Sequence, residues 1–285
     1  MVFLPILFLV LCGMAFFAGV PLNDYVLSVA SCRLERTASA VWFWSWGMAD
    51  FIFIFLLPLR FTSIFILDLD WAKGLSSTLT SFHMFFSTFL LTALSVDRCI
   101  LVAHPEWAQT CRTPLLAFRM VMGMWALSAW FSLRYGYLWE SLLSPASTDM
   151  NFQLDEGRVK AAIVIQFLFG FLIPLALILI PTFYIFLGAK LRNRLNQSTK
   201  PLKILLGLIL TFFICWLLYH VFFFLQISAK YPLPTLKMGS TFACILTYFN
   251  SCLNPIFYLI MEEEFLRYRQ HSCRAQTTEN LAVPE

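Results

Sequence analysis

Seven long apolar stretches constrain this chain more than any other feature of its sequence. They cover residues 2–31, 40–67, 74–102, 115–139, 160–188, 202–228 and 235–261. A helix needs roughly 20 apolar residues to cross the hydrocarbon core of a bilayer, and every stretch meets that length. A transmembrane β-barrel would show shorter segments of alternating polarity instead. The sequence therefore predicts an all-α membrane protein, a bundle of seven transmembrane helices that we number as spans 1 to 7.

The composition excludes most other classes of protein. The chain has 285 residues, of which 60% are hydrophobic and 13% are charged, whereas soluble domains are about 45–50% apolar and about 25% charged. Too few polar side chains remain to cover a surface in water, which excludes a soluble enzyme, a secreted disulfide-stabilised domain and a disordered regulator. We predict one seven-span domain over residues 1–261, followed by a cytoplasmic amphipathic helix and short tail over residues 262–285.

The loops predict the orientation of the bundle. Lys and Arg are concentrated in the first, third and fifth connections, and the fifth has no acidic residue. Because cytoplasmic loops carry the excess of basic residues, we expect an extracellular N-terminus and a cytoplasmic C-terminus in a multi-pass protein of the plasma membrane. The net charge of +4 reflects this bias and does not indicate binding to nucleic acid.

A group of polar residues lies within the apolar spans. Asp50 is in the middle of span 2, and a buried carboxylate needs a cation, a proton or hydrogen-bond donors. Amide and hydroxyl side chains occur at compatible depths on other spans, namely Asn23, Ser87, Asn250, Ser251 and Asn254. Oxygen atoms of these kinds suit a hard cation such as Na⁺. A hydrogen-bonded cluster that joins the helices explains them equally well, so the residues leave both explanations open.

Two further features lie toward the cytoplasmic ends of the spans. Asp97 and Arg98 end span 3, either as an interfacial charge pair or as a latch that releases Arg98 to a cytoplasmic partner. In span 7, Asn254 precedes Pro255, and Tyr258 follows one turn later. Proline removes a backbone hydrogen bond, so this arrangement favours a hinge with exchangeable polar contacts over a static kink.

The residues do not support catalysis or transport. The four histidines show no metal-ligand spacing such as His-Glu-x-x-His, and no nucleophile–base pair or glycine-rich phosphate loop is apparent. His83 and His220 would meet in a pocket within the bundle, although two hydrogen-bonded core histidines explain them equally well. A transporter would show charges along a path and often an internal repeat, and none is apparent. We therefore predict that the chain is not an enzyme.

Landmark residues occur along the whole chain. They are Asn23, Asp50, Asp97-Arg98-Cys99, Trp125, Pro174, Cys215-Trp216 and Asn254-Pro255-Ile256-Phe257-Tyr258. With these residues the chain resembles the rhodopsin-like (class A) G-protein-coupled receptors. Residues 89–99, 104–109, 198–202 and 249–255 look like the chemoattractant branch, which includes the formyl-peptide receptors and the prostaglandin D2 chemoattractant receptor.

The resemblance implies three groups of functional residues. A polar core, the site of an allosteric Na⁺ that is the only cofactor expected, would consist of Asn23, Asp50, Ser87, Asn250, Ser251 and Asn254. A ligand pocket would be formed by Arg60, Ser81, His83, Gln166, Trp216, Tyr219, His220 and Tyr248. A switch for the G protein would be formed by Asp97, Arg98, Pro255 and Tyr258. The implied function is binding of an extracellular lipid or small peptide and coupling to a heterotrimeric G protein of the inhibitory type.

The sequence also departs from this family. The outer end of span 3 and the loop after span 4 lack the usual cysteine pair, so no extracellular disulfide is expected. Leu218 stands where the family has the proline of span 6, and Asp24 stands where glycine is typical. Ser81 replaces the acidic residue with which formyl-peptide receptors bind their ligand, which argues against formyl peptides. These departures keep a second hypothesis open, that of a decoy or degenerate receptor that activates no G protein.

The C-terminal segment completes the predictions. Residues 262–271 are amphipathic and are expected to lie along the inner membrane surface, in contact with membrane lipids. Cys273 follows this segment and is a predicted palmitoylation site.

Overall fold

The computed structural model describes residues 3–32, 37–65, 70–135, 151–191, 199–227, 236 and 238–260, and these residues are almost entirely helical. The helices are Phe3–Ser31, Ala38–Phe55, Leu57–Phe65, Asp70–Ala103, Pro105–Cys111, Pro114–Tyr135, Asn151–Phe167, Ile173–Leu191, Thr199–Ile227 and Met238–Ile260. A single π-helical segment, Leu168–Leu172, joins two of them. No β-strand occurs in these ranges, so the predicted all-α fold is confirmed.

Seven of the helical stretches are long and apolar enough to cross a membrane. They are Ile6–Ser31, Ala38–Thr62, Gly74–Leu101, Pro114–Arg134, Lys160–Tyr184, Leu206–Leu225 and Met238–Ile260. Each lies within a few residues of the corresponding predicted span. The predicted cytoplasmic segment 262–285, including Cys273, lies outside the described residues.

Local sequence signals set the ends of several helices. Span 2 begins after Thr37, whose side-chain oxygen accepts a hydrogen bond from the Ala40 amide at 3.2 Å. Span 4 begins after Thr113 in the same way, with the Leu116 amide as donor at 3.2 Å. Threonine is a common N-cap because its hydroxyl satisfies an amide that has no partner within the helix. Pro114 follows at the first helical position, where its missing N–H costs nothing.

The helices pack around spans 2, 3 and 7, whose side chains are the most shielded. Span 3 contacts the helices of spans 2, 4 and 5, and span 1 packs along span 2. Spans 1 and 5 keep large apolar side chains on their outer surfaces, and Phe17 and Ile180 are 78% and 69% exposed. Such surfaces suit hydrocarbon tails, as a transmembrane bundle requires.

A proline and a glycine explain the irregular turn in span 5. Pro174 has no N–H, so the carbonyl of Gly170 one turn earlier loses its helical partner. That carbonyl accepts a hydrogen bond from Thr88 Oγ1 of span 3 at 3.1 Å instead. The two helices approach closely here, because a Cβ atom added to Gly170 would lie 2.6 Å from the Met84 methyl group. The π-helical segment is thus fixed by contacts with span 3.

Span 7 repeats this arrangement around another proline. Pro255 leaves the carbonyl of Ser251 without its helical partner. The Asn23 side-chain amide of span 1 donates to that carbonyl at 3.1 Å and to the Gly19 carbonyl at 2.9 Å. The same geometry, a side chain that donates to a carbonyl released by proline, therefore links spans 3 and 5 and spans 1 and 7.

Candidate functional site

Asp50 lies at the centre of the bundle and is completely buried. One carboxylate oxygen, Oδ2, accepts a hydrogen bond from the Asn254 side-chain amide at 3.0 Å. The other, Oδ1, lies 2.7 Å from Nε2 of His83. We assign the shared hydrogen to the imidazole, because an ionised carboxylate only accepts. The predicted proximity of Asp50 and Asn254 is therefore present in the structure, with a histidine as an additional partner.

His83 lies in the polar core rather than in the outer group to which we assigned it. Its Nε2 atom is 3.3 Å from Ser87 Oγ and 3.2 Å from Ser251 Oγ, in addition to its contact with Asp50. Its ring stacks on Phe53 with the centroids 4.1 Å apart and the planes 6° from parallel. Spans 2, 3 and 7 thus all contribute polar atoms around this one imidazole nitrogen.

This geometry does not fit the Na⁺ that the family resemblance implies. Three of the predicted ligands, Asp50, Ser87 and Ser251, direct oxygen atoms toward a common point. That point is occupied by Nε2 of His83, at 2.7–3.3 Å from the three oxygens. An N–H group in this position offers a donor and no lone pair to a cation. The residues therefore leave no central position for the ion.

The remaining predicted polar-core residues are buried but contribute differently. Asn23 is fully buried and joins spans 1 and 7 through the Ser251 carbonyl. Asn250 is also fully buried, yet neither polar atom of its side chain has a hydrogen-bond partner among the described residues. The structure thus brings five of the six predicted core residues into one connected group of polar contacts, and Asn250 does not join it.

Arg60 marks one part of the predicted ligand pocket. Arg60 is 8% exposed, and its guanidinium donates to Ser76 Oγ at 3.0 Å and to Thr80 Oγ1 at 3.2 Å. Thr80 is also hydrogen-bonded with Tyr248 of span 7. Residues of spans 2, 3 and 7 therefore hold a positive charge inside the bundle.

A second part of the pocket is formed by Tyr219 of span 6. Its side chain is hydrogen-bonded with Gln166 of span 5 and Ser81 of span 3, so three predicted pocket residues meet. His220 is buried between Phe167 and Phe171 of span 5, with ring centroids 5.4 and 5.2 Å away. The structure thus gives His220 and His83 different surroundings, an aromatic cage and a polar core.

Trp216 connects these two levels of the bundle. Its ring packs edge-on against Tyr219 at 5.2 Å between centroids. Toward the other side it lies 6.0 Å from the ring of His83, with the planes inclined by 28°. A continuous path of ring contacts therefore joins the pocket to Asp50.

The charged pair at the end of span 3 is not arranged as the adjacent residues suggested. Asp97 accepts two hydrogen bonds from Arg112, from Nε at 2.7 Å and from an Nη atom at 2.9 Å. Arg112 also donates to Ser39 Oγ of span 2 at 2.7 Å. Within the described parts of the chain, the Nε atom of Arg98 is buried without a hydrogen-bond partner.

Tyr258 of the predicted switch is buried among aromatic residues of span 2. Its ring centroid lies 5.0 Å from that of Trp46 and 5.4 Å from that of Phe43. Its hydroxyl is buried and has no hydrogen-bond partner within the described ranges. A buried hydroxyl without a partner is unfavourable, so movement of span 7 that hydrates or pairs it would be favoured.

A cavity of about 390 Å³ opens between spans 3, 4 and 5, away from the predicted pocket. Its walls are apolar apart from one threonine, and they are Phe89, Thr92, Met120, Gly123, Met124, Leu127, Phe169, Ile173, Pro174 and Leu177. None of the predicted site residues lines it. Several of its residues face outward, including Leu127 and Phe169 at 47% and 43% exposed, so we expect lipid tails to occupy it.

Sequence reasoning did not predict two of the observed contacts, those of His83 with Asp50 and of Arg112 with Asp97. His83 and Ser87 are separated by four residues and therefore lie on one helix face, so the sequence contained a signal for their proximity. Arg112 is 15 residues from Asp97 and lies after a short helix, Pro105–Cys111. No helical spacing predicts that contact.

The comparisons with known proteins agree with this architecture. The family described as "7 transmembrane receptor (rhodopsin family)" matches residues 23–258. The chain is 32% identical to chemerin-like receptor 1 of Rattus norvegicus over 94% of its own length and 77% of that receptor. It is 33% identical to the C3a anaphylatoxin chemotactic receptor of Danio rerio, over 93% and 75% of the two chains. It is 30% identical to N-formyl peptide receptor 3 of Pongo pygmaeus, over 89% and 79%.

Proposed function

We propose that this chain, which belongs to the rhodopsin family of seven-transmembrane receptors, signals at the plasma membrane through an inhibitory heterotrimeric G protein. It is a multi-pass membrane receptor rather than an enzyme. Its N-terminus would be extracellular and its C-terminus cytoplasmic. The extracellular ligand would be a lipid or a small peptide. Relatives named for chemotaxis and for chemerin support a chemoattractant type of receptor.

The observation that carries this proposal is the path of contacts from the pocket to span 7. Tyr219 packs on Trp216, Trp216 lies against His83, and His83 binds Asp50. Asp50 in turn accepts a hydrogen bond from Asn254, next to Pro255. A ligand that shifts Tyr219 would therefore change the contacts at the proline of span 7, and the two ends of the bundle would be coupled.

The buried cation of the pocket indicates what the ligand would carry. Ser76 and Thr80 orient the Arg60 guanidinium, and guanidinium groups bind carboxylates through paired hydrogen bonds. A peptide C-terminus or a fatty acid headgroup offers such a carboxylate. We therefore expect the ligand to have one anionic group at the level of Arg60 and an apolar part among the surrounding aromatic residues.

The test is guanine nucleotide exchange in membranes of cells that express the full chain with an inhibitory G protein. Chemerin, C3a anaphylatoxin, a formyl peptide and long-chain fatty acids are the probes. An increase in exchange with one of them, lost in Arg60→Gln at equal surface expression, is the expected result. No response to any probe, together with basal exchange equal to that of untransfected cells, would contradict a signalling function.

Arg98→Ala tests the proposed contact with the G protein. Because the Nε atom of Arg98 has no hydrogen-bond partner in the described ranges, and Asp97 keeps its two hydrogen bonds from Arg112, removal of Arg98 should leave folding unchanged. It should reduce both basal and ligand-stimulated exchange at least about 10-fold, the equivalent of about 1.4 kcal/mol. Arg119→Ala is the matched control, since Arg119 is an exposed basic residue near the inner end of span 4. Equal responses from the Arg98 variant and the unaltered chain would show that Arg98 does not activate the G protein.

A receptor that does not signal is the second candidate, favoured by the absence of a proline at Leu218. Span 6 is an uninterrupted helix around this residue, so an outward bend of its inner half would lack the usual hinge. Leu218→Pro distinguishes the two candidates. Signalling that appears only in the proline variant would support the decoy, and strong signalling by the unaltered chain would eliminate it.

A further inference from the structure

Three features of the molecule have no role in the proposed binding of ligand and G protein: the apolar cavity between spans 3, 4 and 5, the Asp97–Arg112 pair, and the position of the imidazole within the polar core. Only the last of these has a polar, fully buried environment built from several spans. It also departs from what the sequence predicts at that position.

We infer that the side chain of His83 takes the place of a sodium ion in this receptor, so that Asp50 is held by an internal imidazole and the bundle does not respond to Na⁺. This inference goes beyond the proposed function, because it concerns neither the ligand nor the G protein.

Nε2 of His83 lies at the point where the predicted cation ligands converge. Nε2 of His83 lies 2.7 Å from a carboxylate oxygen of Asp50, and 3.3 and 3.2 Å from the hydroxyl oxygens of Ser87 and Ser251. These oxygens come from spans 2, 3 and 7 and were predicted as ligands of a cation. They surround the nitrogen as they would surround an ion, so both cannot be present at once.

Close packing holds the imidazole of His83 in this position. Its ring stacks at 4.1 Å on Phe53 and faces Trp216 at 6.0 Å. The side chains of His83 and Asp50 are 2% and 0% exposed. In a close-packed interior a side chain cannot turn aside without displacing its neighbours, so the ring cannot readily leave the position to an ion.

Side chains of the receptor already compensate the buried carboxylate of Asp50. A buried carboxylate is strongly destabilising unless a donor or a positive group compensates it. Asp50 receives hydrogen bonds from His83 on one oxygen and from Asn254 on the other. Both oxygens are thus satisfied by side chains of the receptor, and no additional cation is needed to complete the site.

The experiment measures the melting temperature of the purified full chain in detergent. Each sample is measured in sodium chloride and in choline chloride at the same concentration, which removes general effects of ionic strength. For the unaltered receptor we expect equal melting temperatures in the two salts. A ligand that binds only the folded state raises its stability by mass action, so a difference between the salts reports binding of Na⁺.

His83→Asn opens the site and supplies an amide oxygen in place of the imidazole. We expect this variant to melt at least about 3 °C higher in sodium chloride than in choline chloride, and the double variant with Asp50→Asn to lose that difference. His83→Gln is the second variant, for use if the first does not fold. The matched control is His220→Asn, a buried histidine on another span, for which no sodium effect is expected.

Two results would overturn the inference. A higher melting temperature of the unaltered receptor in sodium chloride, removed by Asp50→Asn, would show that the ion binds beside His83. Absence of any sodium effect in a folded His83 variant would show that the imidazole is not what excludes the ion. Because neither readout involves a ligand or nucleotide exchange, these results are separate from failure of the proposed function.

Discussion

The carboxylates of Asp50 in span 2 and Asp97 in span 3 are stabilised in contrasting ways. Asp50 lies at the centre of the bundle, with no exposed surface, and is bound by His83 and Asn254 from spans 3 and 7. Asp97 lies near the C-terminal end of span 3 and accepts hydrogen bonds from Nε and an Nη atom of Arg112. The Asp97 and Arg112 side chains are 10% and 16% exposed.

The difference shows what depth in the bundle demands. Asp50 has no exposed surface, and each of its oxygens has its own donor from a different helix. At the end of span 3 a single guanidinium satisfies both oxygens of Asp97, and solvent screens this partly exposed pair. We therefore regard the Asp50 site as a structural junction of three spans and the Asp97 site as a local tie between span 3 and the loop that follows it.

The largest expected effect concerns the Asp50–His83 pair. In a double-mutant cycle with Asp50→Ala and His83→Ala, we expect a coupling of about 2–3 kcal/mol, because either single change leaves a buried polar group without its partner. The measurement is equilibrium unfolding in mixed detergent micelles. Additive effects of the two substitutions would show that the pair does not form and would end the contrast between the sites.

The Asp97–Arg112 pair is expected to couple more weakly. The cycle with Asp97→Ala and Arg112→Ala should give about 1 kcal/mol, and high salt should lower that value because the pair is partly exposed. The Asp50–His83 coupling should not change under the same conditions. Equal salt dependence of the two cycles would contradict the distinction drawn from their depth.

The smallest expected effects concern the hydroxyl groups that accompany each pair. Ser251→Ala removes a hydroxyl near His83, whereas Ser39→Ala removes one that accepts from Arg112. We expect a loss of about 1 kcal/mol for Ser251, which is 0% exposed, and about half of that for Ser39, which is 9% exposed and lies beside a partly exposed ion pair. Melting temperatures of the two purified variants provide the comparison, and a larger loss for Ser39 would reverse the proposed order.

Most of the fold could be predicted from the sequence because its signals are local. Each span is a continuous apolar stretch, and residue type together with length is sufficient to identify it. The ends of spans 2 and 4 also follow from Thr37 and Thr113, whose hydroxyl groups cap the first turn. The family resemblance also predicted that Asp50 and Asn254 would meet. This contact depends on how the helices pack, which no short stretch of sequence specifies.

The unpredicted partners of Asp97 and Asp50 depend on loop geometry and helix packing, which the sequence does not specify directly. Asp97 and Arg98 are neighbours in sequence, but adjacent residues on a helix point about 100° apart, so adjacency did not make them a pair. Arg112 reaches Asp97 only because the chain turns back after His104 into a short helix. His83 was assigned to the pocket because its depth within span 3 depends on how that helix is shifted against its neighbours.

In this structure His83, rather than a sodium ion, binds Asp50. An experimental structure of the purified receptor in physiological sodium chloride, at a resolution that shows ordered ions, would test it most directly. We predict that the imidazole of His83 lies within hydrogen-bonding distance of Asp50, with Ser87 and Ser251 around the same nitrogen. An ion coordinated by Asp50 and Ser87, with the His83 ring turned away toward the pocket, would show that the ion and not His83 binds Asp50.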